Sequence, residues 1–86
     1  MKKYKVEIRE NYNDCWDEDA VQECVFAENF EDAKEIVEDY LRDQCSRNTL
    51  DFEEIDNFMN SLEYRISELE FSELDGRDIE INTVIL

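Results

Sequence analysis

Histidine and proline are absent from these 86 residues, and glycine occurs once, at Gly76. Without imidazole the chain lacks the side chain that most often moves protons near neutral pH. A cysteine nucleophile would have no imidazole to activate it. There is no Gly-rich phosphate loop and no Gly-x-Ser-x-Gly elbow. Carboxylates number 25, so pairs arise by chance, and a chain this short promises no deep cleft to raise the pKa of one member. The chain is therefore expected to be non-enzymatic and to need no cofactor.

Other classes are excluded by scarcity. No apolar run approaches the roughly 20 residues of a membrane-spanning helix. The basic opening Met1-Lys2-Lys3-Tyr4-Lys5 is followed by no apolar h-region, so no secretory signal is expected. Three cysteines, Cys15, Cys24 and Cys45, fit neither a disulfide framework nor a Cys-x-x-Cys knuckle. They read as reduced thiols, with Cys24 and Cys45 as small core hydrophobes. Basic residues number 9 against 25 acidic ones, a net charge of −16. Direct binding to nucleic acid or to an anionic membrane is disfavoured by that sign, and a cytoplasmic setting is expected.

The chain does hold enough apolar material to fold: 42% hydrophobic residues and 12% aromatic ones set it apart from an acidic disordered tail. Its length suits a single domain with one small core. Tyr4, Val6 and Ile8 alternate with charged residues, the period of a half-buried strand. A polar connection over 11–19 leads to a second extended stretch over 20–27 that holds Val21, Cys24, Val25 and Phe26. Asn29 then stands as an N-cap before Ala33, Ile36, Val37, Tyr40, Leu41 and Cys45, an apolar stripe at helical spacing. Asp51 with Glu54 forms a capping box, and Leu50 with Ile55 a hydrophobic staple.

The second helix is expected to carry Ile55, Phe58, Met59, Leu62, Ile66 and Leu69 on one side. That stripe suits a core or a homodimer seam, and its end is ambiguous because Leu69, Phe71 and Leu74 are also spaced for a strand. Asp75-Gly76 signals a type I′ hairpin, and Ile79 and Ile81 open a last strand that runs into an apolar C-terminus expected to pair in the sheet. The expected fold is α+β: a small antiparallel sheet of three or four strands with two helices on one face, in the order β-β-α-α-(β)-β.

Tyr4-Lys5-Val6-Glu7-Ile8-Arg9-Glu10, Val25-Phe26-Ala27-Glu28 and Glu31-Asp32-Ala33-Lys34-Glu35-Ile36-Val37 together resemble the start of DpnD/PcfM-type proteins. These are small proteins of phages, conjugative elements and restriction loci. The resemblance covers about the first half of the chain and implies a mobile-element setting; it carries over no functional residues. The chain departs from that pattern in the longer acidic connection over 11–19 and after Asp56.

Charge is unevenly placed. Residues 1–10 hold four basic and two acidic side chains, so the excess lies beyond them. Candidate partner-binding carboxylates are Asp14, Asp17, Glu18 and Asp19 in the first connection, Glu35, Glu38 and Asp39 on the first helix, and Glu53, Asp56, Glu63 and Glu70 assigned to the second. Rows of carboxylates about one helical turn apart approximate the phosphates of a nucleic-acid strand. Trp16, set among the acids, suits either an exposed anchor or a cover for the hairpin edge. The acidic connection could hold calcium loosely, although no EF-hand pattern is present and no metal site is assigned. Net charges of about 2–8 are usual for small domains. An excess of −16 suits a strongly basic protein partner that compensates it or, alternatively, the plain solvated surface of an acidic protein.

The expected function is an anti-defence inhibitor, an acidic DNA mimic that blocks the nucleic-acid-binding surface of a CRISPR effector such as Cas9 or of a restriction enzyme. The alternatives are a non-catalytic structural or adaptor protein, homodimeric, or an antitoxin-like binder of a basic partner.

Overall fold

The computed structural model describes residues 1–10, 15–17, 21, 23–48 and 51–86. The element order is β1 (Lys2–Glu10), β2 (Val25–Ala27), α1 (Phe30–Arg47), α2 (Phe52–Asn60), β3 (Leu62–Ser72) and β4 (Arg77–Ile85). The strands form one antiparallel sheet in the order β2-β1-β3-β4, so β-β-α-α-β-β is an α+β fold.

The period-two pattern of β1 decides which face is covered. Tyr4, Val6 and Ile8 are buried, and register places Val6 opposite Ile66 and Ile8 opposite Tyr64. Because paired residues share a face, the apolar sets of β1 and β3 form one continuous surface. Val25 and Ala27 extend it onto β2. On that surface lies α1, its i, i+4 line Ala33, Val37, Leu41 and Cys45 facing inward, while Phe30 tilts its ring against Tyr4 at 5.0 Å between centroids. Ile55 and Met59 of α2 join the same core. Each aliphatic side chain buried there contributes roughly 1.5–3 kcal/mol.

Both helix starts follow from the capping residues. Asn29 Oδ1 accepts the Asp32 N–H at 2.8 Å, and Asp51 Oδ1 accepts that of Glu54 at 2.8 Å. Leu50 of the expected staple lies outside the described residues.

The second helix ends sooner than its spacing predicts. It stops at Asn60, with Ser61 at the C-cap, and Leu62 opens an eleven-residue strand. Leu62, Tyr64 and Ile66 satisfy a two-residue period as well as Leu62, Ile66 and Leu69 satisfy a helical one. Pairing along β1 buries Tyr64 to 2% and Ile66 to 0% exposure. A helix would have put Tyr64 off the apolar stripe, so the strand buries more aromatic surface.

Three further details differ from expectation. The β3–β4 link has four residues, 73–76, because Ser72 pairs with Arg77 and the Gly76 N–H donates to the Ser72 carbonyl at 2.8 Å. Gly76 has φ 65°, a left-handed conformation that glycine adopts without a Cβ penalty. The second strand is confined to Val25–Ala27, with Ala20 and Gln22 outside the described residues. Cys24 is exposed while Cys45 is buried, so only one of the two presumed core thiols is in the core. The C-terminus pairs in the sheet, Leu86 exchanging backbone hydrogen bonds of 2.8 and 2.9 Å with Tyr64.

Candidate partner-binding surfaces

The helix-free face of the sheet is where the basic residues of β1 lie. Lys3 Nζ meets Asp78 at 2.6 Å, Lys5 Nζ meets Glu80 at 3.5 Å and Glu7 at 3.9 Å, and Arg9 meets Glu63 at 3.0 Å. On the helix-covered side Lys2 reaches Glu68 at 3.2 Å. Hydrogen bonds to these carboxylates hold the Lys2 and Lys3 ammonium groups above their ordinary pKa. The positive charge of the first strand is thus matched by carboxylates of β1, β3 and β4. Eight of the nine basic side chains take part in ion pairs, and Arg77 has none among the described residues.

Trp16 belongs to this face. Asp17 pairs with Ile8 by backbone bonds of 2.7 and 3.3 Å, which brings the connection alongside β1. The indole is half-buried between two guanidinium groups, Arg9 at 4.4 Å and Arg65 at 4.8 Å from the ring centroid. Beneath lies Glu7, its side chain 4% exposed and held by the Arg65 fork. Of the two roles the sequence leaves open for Trp16, the structure places it as a cover on the sheet.

The remaining carboxylates divide between the helix layer and the connections. Residues 28–60 hold eleven acidic and three basic side chains, a net −8. Within them Glu38 pairs with Lys34 at 3.7 Å and Asp56 with Arg42 at 3.0 Å. Glu35, Asp39 and Glu53 are exposed and carry no ion pair among the described residues. Glu63 and Glu70 lie on β3 and not on the second helix, so the row of carboxylates expected along that helix shrinks to Glu53 and Asp56. Asp14, Glu18 and Asp19 lie outside the described residues.

Two tyrosines are buried with hydroxyls that have no hydrogen-bond partner among the described residues, Tyr4 and Tyr64. Burial is the main cause that pushes Tyr64 up to about 12, with the Glu38 carboxylate adding to it and Arg42 opposing it. Burial raises Tyr4 in the same direction. Among the described residues no group of three or more Cys, Asp or Glu side chains gathers as a metal site. No helix among the described residues is long and apolar enough to cross a membrane.

One feature escaped the sequence reading. A cleft of about 560 Å³ opens between α1 and β2, lined by Val21, Glu23, Cys24, Phe26, Ile36 and Tyr40 among others. Ile36 and Tyr40 belong to the apolar stripe of α1, yet they remain 45% and 47% exposed. Their i, i+4 column runs beside Ala33, Val37 and Leu41, making the stripe wider than the sheet beneath it. The sequence signal lay in the doubled positions 36–37 and 40–41, but the extended stretch expected over 20–27 concealed that the adjoining strand has only three residues. No family model matches the chain, and no curated protein or solved structure matches it.

Proposed function

We propose that this protein is a non-catalytic inhibitor from a phage or mobile element that occupies the nucleic-acid-binding surface of a basic host defence protein, a CRISPR effector or a restriction enzyme, as an acidic mimic of DNA. The observation that carries this reading is the distribution of charge. The cations are almost all engaged within the fold, and a net −16 remains on a 10.4 kDa chain, half of it on residues 28–60. Carboxylates fixed on helices present negative charge without the ordering cost of a flexible tail. The mobile-element setting comes from the DpnD/PcfM resemblance and the cytoplasmic one from the sequence composition, and both are part of the proposal.

The test is binding of the purified protein to a Cas9-type effector, free and with target DNA already loaded, across ionic strength. Mimicry requires affinity to fall at least about tenfold between roughly 50 and 300 mM salt, and loaded DNA to block the complex. Charge reversal at Glu35 and Asp39 should weaken binding further while leaving the circular dichroism unchanged. Salt-insensitive binding to a DNA-loaded complex refutes mimicry.

A homodimeric adaptor is the second reading, and the outer edge of β4 favours it. This nine-residue strand ends the sheet, with Ile81 and Ile85 exposed on it. Sedimentation at two protein concentrations separates the readings, since a strict dimer that ignores basic partners supports the adaptor.

A further inference from the structure

We infer that the cleft between α1 and β2 is a strand-accepting groove, and that its occupant is an extended segment of the basic partner with apolar and Lys/Arg residues in alternation. The inference rests on the proposed acidic, partner-binding role and names the contact that gives it specificity.

The geometry is that of a sheet one strand narrower than the helix covering it. β2 is the last strand on its side, and its outer backbone edge bonds to no described residue. Ile36 and Tyr40 overhang that edge from α1 and leave two large apolar side chains half-exposed at the cleft, while Phe26, paired with Lys3, turns its side chain to the helix-free face. A strand added beside β2 would satisfy the open backbone groups of the edge. Every second side chain of that strand would pass beneath Ile36 and Tyr40, where the core ends among the described residues. A helical occupant would fill the apolar surface and leave the backbone edge unpaired.

Charge selects among extended segments. Glu23 lines the cleft, Glu28 follows β2 directly, and Asp39 sits three residues after Ile36 and one before Tyr40. The mid-helix cations of α1 turn the other way. Lys34 lies over the Tyr64 ring at 5.4 Å and forms an ion pair with Glu38 at 3.7 Å, while Arg42 reaches across to Asp56 on α2. The β2 side of α1 is therefore apolar with a carboxylate rim. An acidic strand would be repelled, including the protein's own Asp- and Glu-bearing β4, whereas Lys or Arg at alternate positions meets the rim.

The experiment uses three labelled short peptides at low salt, read by fluorescence anisotropy. One alternates lysine and valine, the second is the same peptide N-methylated on the amides of one edge, and the third is oligolysine of the same length. The alternating peptide should bind at least about tenfold tighter than oligolysine, and N-methylation should remove that advantage. Ile36→Ser and Tyr40→Ser should also remove it while leaving oligolysine affinity and the circular dichroism unchanged, since both side chains are already half in water. Amide shifts on titration should centre on Phe26, Ile36 and Tyr40. Oligolysine binding as tightly as the alternating peptide, or an N-methylated peptide binding as well as its parent, overturns the groove and leaves the electrostatic reading standing. Failure of every peptide to bind at low salt removes both.

Discussion

The pair Glu7 and Arg65 should respond asymmetrically to mutation, because the structure buries one partner far more than the other. The Glu7 side chain is 4% exposed and that of Arg65 is 32% exposed. Arg65 donates from Nε at 3.1 Å and from Nη2 to the two carboxylate oxygens, a bidentate fork. In Glu7→Gln the guanidinium keeps one acceptor, stays stacked on Trp16 and reaches water, so the cost is that of lost charge assistance, about 1–2 kcal/mol. In Arg65→Met the stem is retained, but a buried carboxylate is left with Lys5 Nζ at 3.9 Å as its nearest cation. Breaking a buried pair from that side costs about 3–5 kcal/mol.

A domain of this length has a total stability of only about 4–13 kcal/mol, so Arg65→Met should remove about a quarter of it or more. Its midpoint should fall by more than about 12 °C. The double variant Glu7→Leu with Arg65→Met leaves no charge uncompensated and should recover most of that loss. Urea titration followed by far-UV circular dichroism measures all three without relying on Trp16 fluorescence, which the substitutions disturb directly. If Glu7→Gln proves as damaging as Arg65→Met, or the double variant is less stable than Arg65→Met alone, burial does not set the energetics of this pair.

Other expectations follow from single side chains. Tyr64→Phe deletes a buried hydroxyl without an acceptor among the described residues, so its urea midpoint should stay level or rise, with a gain of up to about 1 kcal/mol. Tyr64 has its proton held more tightly in the fold than in the unfolded chain, so the stability it supports is full below the ordinary value of 10.0 and is lost as pH rises toward about 12. Thermal melts across that window should fall more steeply for the parent protein than for Tyr64→Phe. Gly76→Ala meets no atom within 4 Å but must adopt φ 65°, and should lose about 1–2 kcal/mol in denaturant melts, with Gly76→Asn losing less. Asp51→Ala removes the acceptor of the Glu54 amide and should cost about 1 kcal/mol, measured the same way.

Much of the architecture was legible in local patterns. Alternation at Tyr4, Val6 and Ile8, the caps at Asn29 and Asp51, and the apolar C-terminus each had one good solution, and each is found. The segment after Asn60 had two, and non-local pairing with β1 chose between them by burying Tyr64 and Ile66 together. No window of sequence contains that competition. The width of the α1 stripe was visible too, but a stripe says where apolar surface lies and not whether a strand lies beneath it. Trp16 shows the same limit: its stacking partners, Arg9 and Arg65, are 56 residues apart in the chain and meet only through the β1–β3 register.

The total charge could be read at once, but its usable part depends on contacts. Glu7, Glu63, Glu68, Asp78 and Glu80 neutralise cations across the sheet, and Glu38, Asp43 and Asp56 do so on the helices. Glu31, Asp32, Glu53 and Glu54 sit in first turns, where each is favoured by the helix dipole by about 0.3–1 kcal/mol. Glu53 is therefore a weaker candidate for a partner than its exposure suggests, since the fold itself gains from its charge. Among the described residues Glu35 and Asp39 have neither compensation, and neither do Glu23 and Glu28, which stand beside the cleft, or Glu70, Glu73 and Asp75 near the β3–β4 turn. Their mutual repulsion lowers stability with no return inside the described fold. Under the proposed function, charges that stabilise nothing among the described residues are accounted for by a basic surface outside the chain. On that same proposal, the concentration of such charges around the α1–β2 groove makes that end of the molecule the first place to look for the basic partner.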